Sequence, residues 1–502
     1  MKNNISKYFM LIMVLALGAC SDDFLESEPT ELISTDQMSE LKDQNPEIFN
    51  GTIRGLYAYM YTPGSGGTKR NDGVTPKDDD LGQKGYDIFS DMLCGDMILA
   101  GYNYGHYKNI AQMTATTDYT DLANYKTWRY YYRIIRAANV IIDGLGGNDA
   151  ELTDPTQKSQ MGQAKTMRAY SYFYLAYFFT EEYDPNEEIL PLYQSATDRD
   201  MPLSKSSEIW ATIKSDLEAS VDLLEGASRE GLHGVNQDVA NGLLAYTYLT
   251  MGEYDKAAAT AQKVIDAGYQ IVPKDKVAGS SAIPRNAFSY IDGDGADWIW
   301  GMDLTLDQGL DLISWWGQVD IFTYSYAGVG DAKTIDTGLF NSIPDTDERK
   351  KWVVTHPWYG IPNCPGNKFY HEQRSVFTQR EVTTDYVYMR VEEMVLIKAE
   401  AEAFAGKEDN AKTTLKTLVS QRNSDVTFID ALSGQDLKDE IYHQWRIEMW
   451  GEGKSYLAMK RNKATITREG HIDFNVSIDY NDDRLTFDIP RAEIQDNPNI
   501  NL

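Results

Sequence analysis

Two stretches of this chain, 237–268 and 391–422, each carry the pattern of a helix hairpin, and this duplication restricts the fold more than any other feature. In the first stretch Ala240, Leu244, Tyr248 and Met251 recur at helical spacing. Gly252 ends that helix, and Glu253-Tyr254-Asp255 turns the chain. A second helix presents Ala257, Ala261, Val264 and Ile265 and stops at Gly268. In the other stretch Met394, Ile397, Ala401 and Phe404 mark a first helix, Gly406 breaks it, and Ala411, Leu415, Leu418 and Val419 mark the second. The second helices share the offsets 0, +4, +7 and +8. Small alanines at such a crossing let the two helices approach closely.

The turn Gly252 to Ala257 resembles that of the tetratricopeptide repeat. A contiguous array of such repeats has a period of about 34 residues, but these two units begin about 150 residues apart. The scaffold is therefore interrupted. Further helical stripes run through Trp128, Tyr131, Ile135, Ala138 and Ile142, and through Ala164, Met167, Ser171, Tyr174 and Phe178. A third helix opens at Ser206-Ser207-Glu208 with a serine available as N-cap. The expected fold is all-α, built of tetratricopeptide-like helix pairs with long loop-rich insertions. The main insertion is 270–385, rich in Gly, Pro, Trp and Tyr, and reads as loops with short strands. A second loop-rich region, 62–107, ends in Tyr102, Tyr104 and Tyr107. Loops this long are usually functional or disordered, and their density of aromatics argues against disorder.

At the N-terminus, Lys2 and Lys7 precede the apolar run Tyr8–Leu17, which is too short to span a bilayer as a helix and suits a secretory signal. Leu17-Gly18-Ala19-Cys20 resembles a bacterial lipobox, with Cys20 as the lipidated new N-terminus. Asp22-Asp23 resembles the export signal that sends Bacteroidota lipoproteins to the outer face of the outer membrane. The expected organisation is a signal peptide over 1–19 and one domain over 20–502, with an N-terminal part to 230 and a C-terminal part from 231. Loss of the leader leaves 45 basic against 76 acidic side chains, a net charge of −31. So acidic a surface repels nucleic acid and anionic lipid, so the membrane is reached through the anchor alone. Cys94 and Cys364 remain, either as a pair or as two separate buried thiols. The 33 Tyr and 10 Trp, against 16 Phe, suit surfaces that stack on sugars or contact protein, besides serving as core.

Four segments in order resemble the SusD/RagB family of nutrient-uptake lipoproteins. They are Cys20-Ser21-Asp22-Asp23-Phe24-Leu25-Glu26 with Pro29; the helix Trp128 to Asn139; Arg446-Ile447-Glu448-Met449-Trp450-Gly451-Glu452-Gly453-Lys454, continuing to Met459-Lys460-Arg461; and Phe487 to Ile494 with Asn497-Pro498-Asn499. The sequence departs from the family pattern at Lys454, Ala458 and Trp445, where Arg, Asp and Glu are usual. Arg446 and Glu448 read as a buried structural pair. The resemblance implies a lid on a SusC-like TonB-dependent transporter that captures glycan and hands it inward. Some members hold peptide instead, so peptide or glycopeptide remains an alternative ligand.

No HExxH, GxSxG or phosphate-loop spacing occurs, so a surface glycosidase is the least favoured reading. No cofactor is expected. Asp292, Asp294 and Asp297 offer three carboxylates on a glycine-rich loop. That loop is either a solvated acidic turn or a weak Ca2+ site, and Asp303 stands where an EF-hand needs Glu. Ligand contacts are expected from the loop-rich regions: Asp96, Tyr102 and Tyr104 from the first, and Trp315, Trp316, Tyr324 and Tyr326 from the second. Adjacent residues of an extended segment point opposite ways, which would expose one indole of the Trp315-Trp316 pair and bury the other.

Overall fold

The computed structural model describes residues 44–293, 297–377, 380–470 and 474–500. The signal peptide, Cys20 and Asp294 lie outside the described residues. The principal helices are α1 (Asn50–Tyr61), α2 (Gln83–Leu93), α3 (Leu122–Gly144), α4 (Pro155–Phe179), α5 (Ser206–Leu223), α6 (Gln237–Thr250), α7 (Tyr254–Ile265), α8 (Trp315–Val319), α9 (Val391–Phe404), α10 (Glu408–Val419), α11 (Gly434–Glu448) and α12 (Ser455–Asn462). Four short strands lie in or beside the main insertion or join the loop-rich regions: β1 (Met97–Leu99), β2 (Trp298–Met302), β3 (Lys333–Ile335) and β4 (Tyr386–Arg390).

The helices stack in one file, α3 on α4, then α5, α6 and α7, with α9 packed directly on α7 and followed by α10. The two hairpins recognised in the sequence are therefore neighbours in space, although residues 269–390 separate them along the chain. Ala257, Ala261 and Val264 of α7, and Ala411, Leu415, Leu418 and Val419 of α10, are buried as their spacing requires. Asp121 and Asp154 cap α3 and α4 by accepting from Ala123 N (2.7 Å) and Thr156 N (2.9 Å), and Pro155 occupies the first position of α4. From Met161 onward almost every residue of α4 is buried. The stripe through Ala164 and Phe178 is only one part of a helix enclosed by α3 and α5 on its flanks. The start of α5 differs from expectation: Lys205 occupies the cap position and its amide donates to Glu208 (3.0 Å), so the acidic side chain closes the helix end instead of a serine.

Within the insertion β2 pairs antiparallel with β4, the strand through which the chain returns to the scaffold; Arg390 then passes straight into α9. A buried ionic cluster fixes this neck. Glu448 accepts from Arg390 (2.8 Å), Arg422 (2.8 Å) and Arg349 (3.1 Å), and Glu452 accepts from Arg390 (2.8 Å) and Lys368 (2.8 Å). Burial opposes ionisation of Glu448, but Arg422, Arg390 and Arg349 overcome it and hold the carboxyl well below the usual range. Arg446 does not pair with Glu448. It reaches Asp96 instead, with Nε donating at 2.8 Å. The third family-like segment thus ties α11 both to the insertion and to the loop that carries β1. Cys94 and Cys364 are two free buried thiols.

Candidate functional site

The two loop-rich regions meet because β1 pairs antiparallel with β3, Met97 opposite Ile335 and Leu99 opposite Lys333. The pairing continues as Ala100 N donates to Ala332 O (2.9 Å). Gly101 then passes so close to Gly330 that a Cβ on it would lie 1.9 Å from the Gly330 carbonyl oxygen. This contact carries the segment Tyr102–Tyr107 onto the turn 320–330.

An aromatic cluster forms there. The Tyr104 ring, 59% exposed, stacks on His106 with centroids 6.0 Å apart and planes 5° from parallel. Tyr326 meets Tyr104 edge-on at 5.0 Å and His106 at 4.4 Å. The Tyr326 hydroxyl donates to Asp78 (2.5 Å) and accepts from Arg70 (3.1 Å). Arg70 in turn holds Asp78 through Nε (3.1 Å) and a second guanidinium nitrogen. Burial depresses the His106 pKa while Asp78 opposes the shift, and its Nε2 has no hydrogen-bond partner among the described residues. Next to this cluster opens a cavity of about 550 Å3, lined by Arg70, Asn71, Asp72, Lys77, His106 and Asn109 among others.

A buried polar strut supports the floor. Gln318 donates to the Asp78 carbonyl (3.0 Å) and accepts from Lys333 Nζ (2.6 Å). Burial pushes the Lys333 ammonium down to about 8, against the pull of Asp331. Asp80 shapes the adjoining loop by accepting from Gly66 N (2.8 Å) and from Thr68 N (3.1 Å) and Oγ1 (2.7 Å).

A second group of aromatics flanks the same turn. Trp358 and Tyr359 are exposed, Trp358 to 63%. Their amides face His356 Nδ1 (3.2 and 3.4 Å), whose Nε2 bonds to Ala327 O (3.0 Å). Tyr359 lies against Gly330, and Asn103 Nδ2 donates to Val329 O. Tyr324 is exposed beneath Arg380, 5.3 Å from the ring centroid. The arrangement can stack on flat apolar faces and donate or accept at hydroxyls around them.

Of the residues expected from sequence, the structure brings Tyr104 and Tyr326 together and leaves Tyr324 exposed near them. Tyr102 is half-buried under Lys108. Asp96 is not a ligand residue: it is fully buried, with its carboxylate on Arg446 and its carbonyl on Trp450 Nε1 (2.8 Å). Trp315 and Trp316 are both 1% exposed, so neither indole reaches a ligand. The segment is helical, not extended; successive side chains diverge by about 100°, and both indoles turn inward onto Phe369 at 5.0 and 6.3 Å. The acidic loop also differs from expectation. Asp292 is tied to Arg285 (2.6 Å), while Asp297 is buried beside Glu392 and pushed well above the usual carboxyl range by burial and that charge. Among the described residues no group of three or more His, Cys, Asp or Glu side chains is arranged to hold a metal ion. Sequence reasoning passed over Arg70, Asp78, His106 and Asn103. Trp358-Tyr359 carried a usable signal, since Pro357 and Gly360 bracket the pair and mark a turn tip.

Residues 90–249 match a family model described as starch-binding, associating with outer membrane, and residues 346–501 match the SusD family model. The chain belongs to the SusD/RagB-like family. SusD-like protein P25 of Formosa agariphila is 27% identical over 222 residues, which is 42% of this chain and 36% of that relative, so the match spans about a third of the relative's length. A SusD-like carbohydrate binding protein from Bacteroides vulgatus superposes with a TM-score of 0.72 at 23% identity, covering 90% of this chain and 96% of that one. A SusD superfamily protein from Bacteroides fragilis gives 0.69 at 23% identity, covering 91% and 99%. These likenesses establish the SusD-like fold, tetratricopeptide-like and helix-dominated. No helix among the described residues is long and apolar enough to cross a membrane.

Proposed function

We propose that this SusD-like protein is a cell-surface lipoprotein, lipidated at Cys20 on the outer membrane, that captures oligosaccharide at the Tyr104–His106–Tyr326 cluster and passes it to a SusC-like TonB-dependent transporter. The observation that carries the reading is the exposed Tyr104 ring beside a polar cavity. An aromatic face packs on the C–H face of a sugar ring, while Arg70, Asn71 and Asn109 line space where hydroxyls can be paired. Tyr326 is locked by Asp78 and Arg70, so its ring is preorganised as a wall. The family description as outer-membrane-associated and starch-binding, and the carbohydrate-binding relative from B. vulgatus, support glycan over peptide. The role is binding without catalysis.

The test is native affinity electrophoresis through gels containing neutral polysaccharides, for the wild type and Tyr104→Ala. Retardation by at least one glycan, lost in the variant, is expected. Binding confined to peptides, or release of sugar products by the purified protein, would overturn the reading. Co-purification of a TonB-dependent transporter from the native membrane tests the delivery step.

A further inference from the structure

Helix α3 carries Tyr125, Arg129, Tyr132 and Arg136 at spacings of four, three and four residues, which places them along one side, with Arg133 beside them one turn after Arg129. They line a cavity of about 370 Å3 completed by Tyr193 and Arg199 and closed by the short helix Arg491–Asp496 that carries Glu493. Two features set it apart. This acidic chain pairs its cations freely with carboxylates, yet among the described residues none of these four arginines has a carboxylate within ion-pair distance. Arg129 donates to Tyr125 Oη (2.8 Å), Arg133 to Ser65 O (2.8 Å) and Arg199 to Ala196 O (2.8 Å) and Asp198 O (2.7 Å), all neutral acceptors. Arg136 is exposed.

Two of the four carboxylates at the rim are held by neutral donors. Asp198 accepts from the amides of Gln194 (2.7 Å) and Ser195 (2.9 Å), and Glu493 accepts from Trp128 Nε1 (3.2 Å) and Asn497 Nδ2 (3.1 Å). Asp200 and Asp496 also line the cavity, so its carboxylates equal its guanidiniums in number; what marks the guanidiniums is that, among the described residues, none of them is paired with a carboxylate. The guanidiniums are also positioned. Gly67 passes so close to Arg129 that a Cβ would lie 2.4 Å from its Nη1, and the Arg133 guanidinium lies over the Tyr59 ring. The cost of ordering them is met within the protein itself.

We propose that this groove is a second ligand site, separate from the Tyr104 cluster, and that it takes an anionic sugar, a uronate or a sulfated residue. Planar guanidinium forks match carboxylate and sulfate oxygens in paired hydrogen bonds. The tyrosine rings Tyr125, Tyr132 and Tyr193 supply apolar wall for a sugar ring. The concavity suits a small ligand, whereas a protein partner of ordinary affinity needs a broad, flatter contact.

Isothermal titration of the full mature protein with tetragalacturonate and with a sulfated tetrasaccharide tests this, using Arg136→Glu, Arg129→Gln and Tyr104→Ala. Arg136 is exposed and carries no ion-pair partner among the described residues, so its variant keeps the fold; unchanged melting confirms that. The expected result is that at least one acidic sugar binds. Its Kd should weaken tenfold or more in R136E, weaken in R129Q and between about 50 and 300 mM salt, and stay unchanged in Y104A. Carboxylate and sulfate arms identify which anion is read, and binding in either supports the site. Failure of both sugars to bind, affinity indifferent to R136E, loss of binding in Y104A, or binding of hexaglutamate in place of either sugar would each overturn it. Retention of neutral glycan in R136E together with its loss in Y104A would show the two sites failing independently.

Discussion

Replacing Tyr104 and Trp316 separately by alanine sets two aromatics from the loop-rich regions against each other, one placed to meet ligand and one placed in the core. Trp316 is 1% exposed and packs on Trp315 (4.8 Å) and Phe369. Truncating a fully buried tryptophan costs about 3–5 kcal/mol in transfer and cavity terms. A chain of 502 residues has a melting entropy of about 1 kcal/mol/K. If it melts as one unit, W316A therefore lowers Tm by about 3–5 °C. Tyr104 is 59% exposed and its ring meets His106 and Tyr326, so Y104A costs about 1 kcal/mol or less and moves Tm by about 1 °C at most. Ligand affinity should reverse the order. Y104A removes the open stacking face and weakens glycan binding by about tenfold or more, which is about 1.4 kcal/mol; W316A folded below its Tm keeps most of its affinity. Differential scanning calorimetry and affinity electrophoresis on the same preparations read both quantities. A stable W316A that has lost binding, or a Y104A that melts several degrees early and binds normally, would refute the placement of these two rings.

Three further outcomes rest on contacts elsewhere in the fold. Glu448→Gln leaves Arg349, Arg390 and Arg422 around an uncharged amide, and urea denaturation should show a loss of about 3–5 kcal/mol; a loss under about 1 kcal/mol would mean the cluster does not hold the neck of the insertion. Glu452 is held down to about 2 by Arg390 and Lys368 against burial, below its ordinary 4.5. Its contribution is therefore complete above about pH 4.5 and lost as pH falls toward 2, so over that window the urea midpoint of the wild type should fall further than that of Glu452→Gln. Gly330→Ala places a methyl 2.8 Å from Asn103 Nδ2 and 3.2 Å from the Tyr359 ring at a φ of +93°, and should weaken glycan binding by shifting both loops; unaltered affinity would show that the 320–330 turn does not position the site.

The helix pairs were legible because their signal is local. Alanines and apolar residues at 257, 261, 264 and 265 repeat at 411, 415, 418 and 419, and a helix buries one side whatever lies elsewhere in the chain. Gly252 and Gly406 end their helices with a left-handed turn that the sequence announces. The loop-rich character of 270–385 was equally plain. Which of its aromatics reach solvent was not, because that depends on partners far along the chain. Asp96 looked like a polar group in a binding loop, yet Arg446, 350 residues away, claims it. Trp315 and Trp316 looked like a loop pair, yet Ser314 caps a short helix that turns both onto Phe369.

By itself, then, the sequence determined an all-α scaffold of paired helices, its interruption, and the SusD-like order of motifs from Trp128 to the closing Asn497-Pro498-Asn499. Only the tertiary structure decided that α9 returns to pack on α7, and that β1 and β3 draw two remote loops into one cluster of Tyr104, His106 and Tyr326. The physical reason is range. Helix periodicity is written in contacts three and four residues apart, whereas a binding face is written in pairings such as Arg70 with Tyr326, whose partners are 256 residues apart and share no period.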